Sequence, residues 1–166
     1  MWQQVIDTLR DEFSDLPDVT QWTRLLVRLG LAVLLGALIG YERERRDSAA
    51  GLRTHMLVAL GTALFVLVPQ QAGLSAADLS RVIQGIIAGV GFLGAGAVIK
   101  HAESGVVQGL TTAAGIWATA AVGVAVGLGR EATAIASAVI VVVILGLLFH
   151  LEKRMKLKAS AVLRDS

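Results

Sequence analysis

Between Tyr41 and His55 the stretch YERERRDSAAGLRTH sets seven charged side chains and a histidine between two strongly apolar runs. Leu25 to Ile39 before it carries one charge, Arg28, and Met56 to Val68 after it carries none. Charge gathered at the junction of two apolar segments is the pattern of a chain that leaves a bilayer, meets water and returns. The rest of the sequence agrees: 55% of its 166 residues are hydrophobic and 17% are charged, against about a quarter charged in soluble domains. With no cysteine, the chain has no disulfides, thiolate metal sites or cysteine nucleophiles. Its net charge of +2 comes from basic residues at the ends of apolar runs, a distribution that speaks for membrane topology and against nucleic-acid binding.

The expected fold class is all-α, a polytopic bundle of five transmembrane helices preceded by an interfacial amphipathic helix. In residues 1–22, Trp2, Val5, Ile6, Leu9 and Phe13 recur at helical spacing among acidic and basic residues, as in a helix lying along the membrane surface. Pro17 ends it, and Asp18 or Thr20 is placed to cap the next helix. A hydrocarbon core takes roughly 20 helical residues to cross. Within a transmembrane domain of residues 23–150, spans are expected at Thr23–Tyr41, Leu52–Val68, Val82–Ile99, Leu110–Leu128 and Ala132–Phe149, with a basic cytoplasmic tail at 151–166. An odd number of spans separates the termini. Arg43, Arg45, Arg46, Arg53, Lys100, Lys153, Arg154, Lys156, Lys158 and Arg164 then share one side, and Arg10, Arg24, Arg28, Arg81 and Arg130 the other. The excess predicts a cytoplasmic Tyr41–His55 loop and C-terminus, an outside N-terminus, and Trp22 and Tyr41 as interface residues.

Helices in lipid approach closely through small side chains. Ala32, Gly36 and Gly40 make such a ridge in the first span, and Thr111, Gly115, Thr119, Gly123 and Gly127 an unbroken one in the fourth. In the third, Gly85, Gly89 and Gly96 share a face beside Ala88, Gly91 and Ala95. The expectation is that spans one, three and four pack together while the branched fifth faces lipid. Gly89, Gly91 and Gly94 also spell a dinucleotide-binding fingerprint, but that motif needs a preceding strand and a water-accessible helix start, so here the glycines read as packing residues. The alternative is a break in the third span at GFLGAG that offers backbone groups to a ligand.

Three motifs, GALIGYERERRDSAAGLRTHMLVALGTALF (36–65), GVGFLGAGAVIK (89–100) and GLTTAAGIWATAAVGVAVGLG (109–129), resemble the MgtC/SapB family of bacterial membrane proteins in order, spacing and wording. The resemblance covers roughly residues 23–150. It implies a multi-pass protein of the bacterial inner membrane with its N-terminus outside, connected in various members to growth in low magnesium, virulence, and acid or solvent resistance. Several members carry a cytoplasmic C-terminal domain of the ACT type. Here only about 17 mostly polar and basic residues follow Phe149, which fits a shorter branch made of the membrane domain alone.

Among individual residues, Glu42, Glu44 and Asp47 are weak magnesium candidates, since a hydrated magnesium ion needs only one or two carboxylates. Arg43, Arg45, Arg46 and Arg53 surround them, so ion pairs and lipid phosphates account for the acids without a metal. Arg53, at the start of a short span, is expected to pair with Glu42 or Glu44, and Thr54 and His55 complete the loop's candidate set for partner or ion interaction. His55, His101 and His150 share a side without ligand spacing. Thr111 and Thr112 are read as caps of the fourth span, Gln84 as bonding within the bundle, and Trp117 as a packing residue. No catalytic constellation and no cofactor is expected. Membrane lipids, other inner-membrane proteins and a second copy in a homodimer or small oligomer are the expected partners, and a regulator or scaffold is the favoured function. The alternative, a magnesium or small-solute transporter or channel, is disfavoured because no acidic side chain lies near the middle of a span.

Overall fold

The computed structural model describes residues 1–12, 14, 18–101 and 108–162, with side chains for all of these but 99–101 and 148–162. The described residues form six helices, α1 (Trp2–Glu12), α2 (Val19–Glu44), α3 (Leu52–Gln71), α4 (Ala76–His101), α5 (Leu110–Gly127) and α6 (Glu131–Val162). No residue of α1 is buried, so its apolar stripe is free for a membrane surface. Among the described residues four helices, α2, α3, the Ala76–Val98 part of α4, and α5, are long and apolar enough to cross a bilayer. Over the residues with described side chains, α6 presents a shorter apolar stretch, Glu131–Leu147. Its backbone continues unbroken to Val162, so the basic segment extends the helix.

Helix starts follow local chemistry. The Asp18 carboxylate accepts from the Gln21 backbone N–H at 2.7 Å and caps α2. Ser75 does the same for Asp78 N at 3.2 Å while its hydroxyl donates to the Asp78 carboxylate, a reciprocal cap that opens α4. No side chain caps α5: Gly109, with φ +87°, turns the chain into it. Thr111 is exposed and Thr112 bonds elsewhere, so neither is the cap the sequence suggests.

The centre of the bundle is α3, which lies against α2, α5 and α4. Both strong small-residue ridges are packing surfaces, and both pack on this helix. A Cβ on Gly36 would lie 2.6 Å from the His55 carbonyl oxygen and 2.9 Å from Met56 Cα, and one on Gly40 would lie 2.8 Å from Leu52 Cα. On the opposite side, a Cβ on Gly127 would meet the Ala63 carbonyl at 2.7 Å, and one on Gly123 would collide with Thr62 and Ala59. Helix α3 answers with His55, Ala59 and Ala63 at four-residue intervals, so backbones approach on both flanks and dispersion contacts hold them.

The expected cluster of spans one, three and four is therefore corrected. Among the described residues α2 and α4 do not touch, and α4 packs mainly on α5 and lightly on α3. A Cβ added to Gly85, Gly89, Gly91 or Gly96 would meet nothing beyond the local helix backbone within 4 Å, whereas one on Gly94 would meet Ala113 of α5 at 3.4 Å. No break occurs at GFLGAG, because α4 is continuous through it. As expected, much of α6 faces outward through Ile135, Val139, Ile140, Val143 and Ile144, but Ala134 and Ala138 are buried against the core.

Candidate functional site

The charged loop folds back onto the bundle and forms a polar knot at one end of α2, α3 and α5. After α2 the chain turns through Asp47, whose φ is +53°, and Ser48 N donates to the Arg43 carbonyl at 3.2 Å. This places the Ser48 hydroxyl 3.0 Å from that of Thr112 on α5. Glu44 reaches across the loop and accepts from Leu52 N at 2.6 Å, capping α3 from eight residues away. Glycine at position 51 leaves the space in which the Glu44 carboxylate lies, since a Cβ there would push that carboxylate from its capping position. Glu42 accepts from Arg46 Nε and lies 3.5 Å from Arg43 Nη1. Arg46 continues to the Gly146 carbonyl at 3.2 Å, tying the loop to α6.

His55 is the deepest member, with 0% of its surface exposed. Its Nδ1 is 2.7 Å from the Thr119 hydroxyl oxygen, which is itself 2.9 Å from the Gly115 carbonyl. The contact is one hydrogen bond whose direction follows the ring tautomer: Nδ1–H donates to Thr119 Oγ1, or the Thr119 hydroxyl donates to a bare Nδ1. Arg43, Glu42 and the Ala50 backbone lie close enough to act on the ring, yet none makes a hydrogen bond of good geometry to Nε2. Arg43 is 8% exposed and its Nε likewise lacks a hydrogen-bond partner.

At the opposite end Arg28 is the corresponding joint. Its Nη1 donates to Gln70 Oε1 at 3.0 Å and to the Gly127 carbonyl at 3.1 Å, and its Nε is 3.6 Å from Glu131, so one guanidinium joins α2, α3, α5 and α6. Gly129, at φ +73°, leaves the space in which that guanidinium lies.

Several expectations need correcting. Arg53 is exposed and makes no ion pair among the described residues, because Glu42 is taken by Arg43 and Arg46 and Glu44 by the α3 backbone. Trp117 is 53% exposed on the outer face of α5, and Gln84 is exposed on α4, so neither fills the interior. Arg45 is exposed and stacks on Tyr41 at 5.7 Å, and Thr54 is half-buried. The side chains of His101 and His150 lie outside the described residues. Among the described residues no three His, Asp or Glu side chains gather as a metal site, and Glu42 and Glu44 serve the knot instead. Sequence reasoning misses Ser48, Thr62 and the bond from Arg46 to Gly146, which depend on partners at least 64 residues away or on helix approach.

Apolar helices glued through glycine and alanine, with their charged side chains gathered towards the two ends, define a multi-pass α-helical membrane protein. The chain belongs to the MgtC family, whose sequence pattern matches residues 29–154. It is 52% identical to SrpB of Synechococcus elongatus over 119 residues, 65% of either chain. It is 43% identical to MgtC of Salmonella typhimurium over 116 residues, 70% of this chain and 48% of the relative. It is 36% identical to "Putative magnesium transporter YhiD" of Escherichia coli K12 over 137 residues, 78% of this chain and 63% of the relative. The matched region thus spans between about half and two thirds of these relatives. No solved structure matches the chain.

Proposed function

We propose that this protein serves adaptation to magnesium limitation or a related stress as a non-enzymatic component of the bacterial inner membrane, binding transmembrane helices of other membrane proteins. The observation that carries this reading is the outer face of α4. Gly85, Gly89, Gly91 and Gly96 stand open, Phe92 is 80% exposed, and a groove of about 620 Å³ runs between α4 and α3. Its lining is apolar but for the Thr62 hydroxyl and holds no charged side chain, which suits a helix or acyl chain and not a hydrated ion. Family membership and the charged loop support the membrane setting, with the loop on the cytoplasmic side by its basic excess.

The test is Gly89→Leu, which fills the groove where a Cβ meets nothing within 4 Å. Unchanged abundance, with loss of both crosslinked partner and growth in low magnesium, is the expected result. Retention of both would remove the α4 face from the mechanism. A second reading, transport of magnesium or another small solute, is favoured by the name of the Escherichia coli relative. Saturable magnesium uptake by purified protein in liposomes would establish it in place of partner binding.

A further inference from the structure

A second groove, of about 350 Å³, opens between α2 and α3 at the end remote from the charged loop. Gln21, Arg24 and Arg28 line one wall at helical spacing, Gln70 and Gln71 the other, and Leu25 and Leu67 complete it. Its size is within the range of small-molecule sites, roughly 300–1,000 Å³. We propose that this groove binds the phosphate of an anionic phospholipid headgroup, with Arg24 as the principal contact. This is independent of whether α4 binds a partner.

The donor inventory points to an anion. Arg28 is already engaged with Gln70 Oε1, the Gly127 carbonyl and Glu131, which fixes its guanidinium at the groove wall. Accepting through its oxygen leaves the Gln70 amide NH₂ as a donor. Arg24 is exposed, and among the described residues it makes no hydrogen bond or ion pair. Glu131 is spent on Arg28, and Asp18, before the first turn of α2, on the helix cap. An uncommitted guanidinium beside amide N–H groups is the chemistry that recognises phosphate oxygens.

Depth selects the source of that phosphate. At 1.5 Å per residue the 26 residues of α2 extend about 39 Å against about 30 Å of hydrocarbon, and Arg24 sits about 7.5 Å from the helix start. That is near the boundary of hydrocarbon and headgroup, from which a long side chain snorkels to the phosphate layer. Trp22 and Leu26 on α2 and Val68 on α3, exposed and each next in sequence to a groove-lining residue, offer apolar surface to the acyl chains of the same lipid. A free phosphate ion would gain nothing from them.

Native mass spectrometry of the full chain, exchanged from detergent with phosphatidylglycerol or phosphatidylcholine, tests this. Arg24→Gln is expected to weaken retention of phosphatidylglycerol about fivefold, the effect of about one basic contact at a charged membrane surface. Phosphatidylcholine retention should not change. Arg81→Gln is the control, an exposed arginine at the start of α4, at the same end of the bundle, with Asp78 as its partner. Equal losses in both variants, or none in Arg24→Gln, would overturn the site. Displacement of phosphatidylglycerol by inorganic phosphate would overturn the lipid as the source. An unchanged melting profile for Arg24→Gln shows that the comparison is between folded proteins.

Discussion

Gly36 and Gly89 have the same standing in the sequence, each in a small-residue ridge of a long apolar helix, and the structure predicts opposite responses to one added methyl group. On Gly36 the methyl carbon would stand 2.6 Å from the His55 carbonyl oxygen, 2.9 Å from Met56 Cα and 3.0 Å from Ala59 Cβ. Two of these are backbone atoms of a helix packed on its other side by α5, so relief requires α2 and α3 to separate. Overpacking of this kind costs about 1–3 kcal/mol, offset by up to about 1 kcal/mol from the better helix propensity of alanine. A net loss of about 1–2 kcal/mol lowers the melting midpoint of a chain this size by about 2–8 °C. Gly89→Ala meets nothing within 4 Å and keeps only the propensity gain, raising the midpoint by up to about 4 °C. Thermal melts of both variants in one detergent decide the matter. A Gly36→Ala protein that melts with or above the parent, or a Gly89→Ala protein that falls as far, would refute the central placement of α3.

Thr119→Val should destabilise by about 1–3 kcal/mol, because it leaves the buried His55 Nδ1 without its hydrogen-bond partner; Thr119→Ser, which keeps the hydroxyl, should restore most of the loss in the same melts. Removing the α3 cap with Glu44→Ala should cost about 1 kcal/mol, whereas Arg53→Ala, at an exposed and unpaired side chain, should change the midpoint little. If Arg53→Ala proves the more damaging of the two, the loop is built differently. Since the chain has no cysteine, Arg45→Cys supplies a single exposed thiol on the loop. Labelling in intact cells should require a membrane-permeant reagent, and labelling by an impermeant one would reverse the proposed orientation.

Features that are local or driven by solvent were legible in the residues alone. Uniform apolarity over runs of membrane length, with charge expelled to their ends, leaves helices as the only way to satisfy the backbone in lipid, and the helices lie where those runs predict. The ridges through Gly36 and Gly40 and through Gly115, Gly123 and Gly127 were legible as packing faces for the same reason. Which helix receives a ridge is not written in its own residues. Gly89 repeats at the same interval as Gly36 yet faces open space, because interval fixes a face and not the neighbour opposite it. The His55, Ala59 and Ala63 line that makes α3 central was visible only once its partners stood on either side. The glutamates show the same division. Charge balance marked Glu42 and Glu44 as paired, but only the turn at Asp47 decided that one takes Arg43 and Arg46 and the other the bare N-terminus of α3, leaving Arg53 to solvent. Electrostatic attraction is similar for all of these pairings at the level of sequence, and the path of the backbone selects among them.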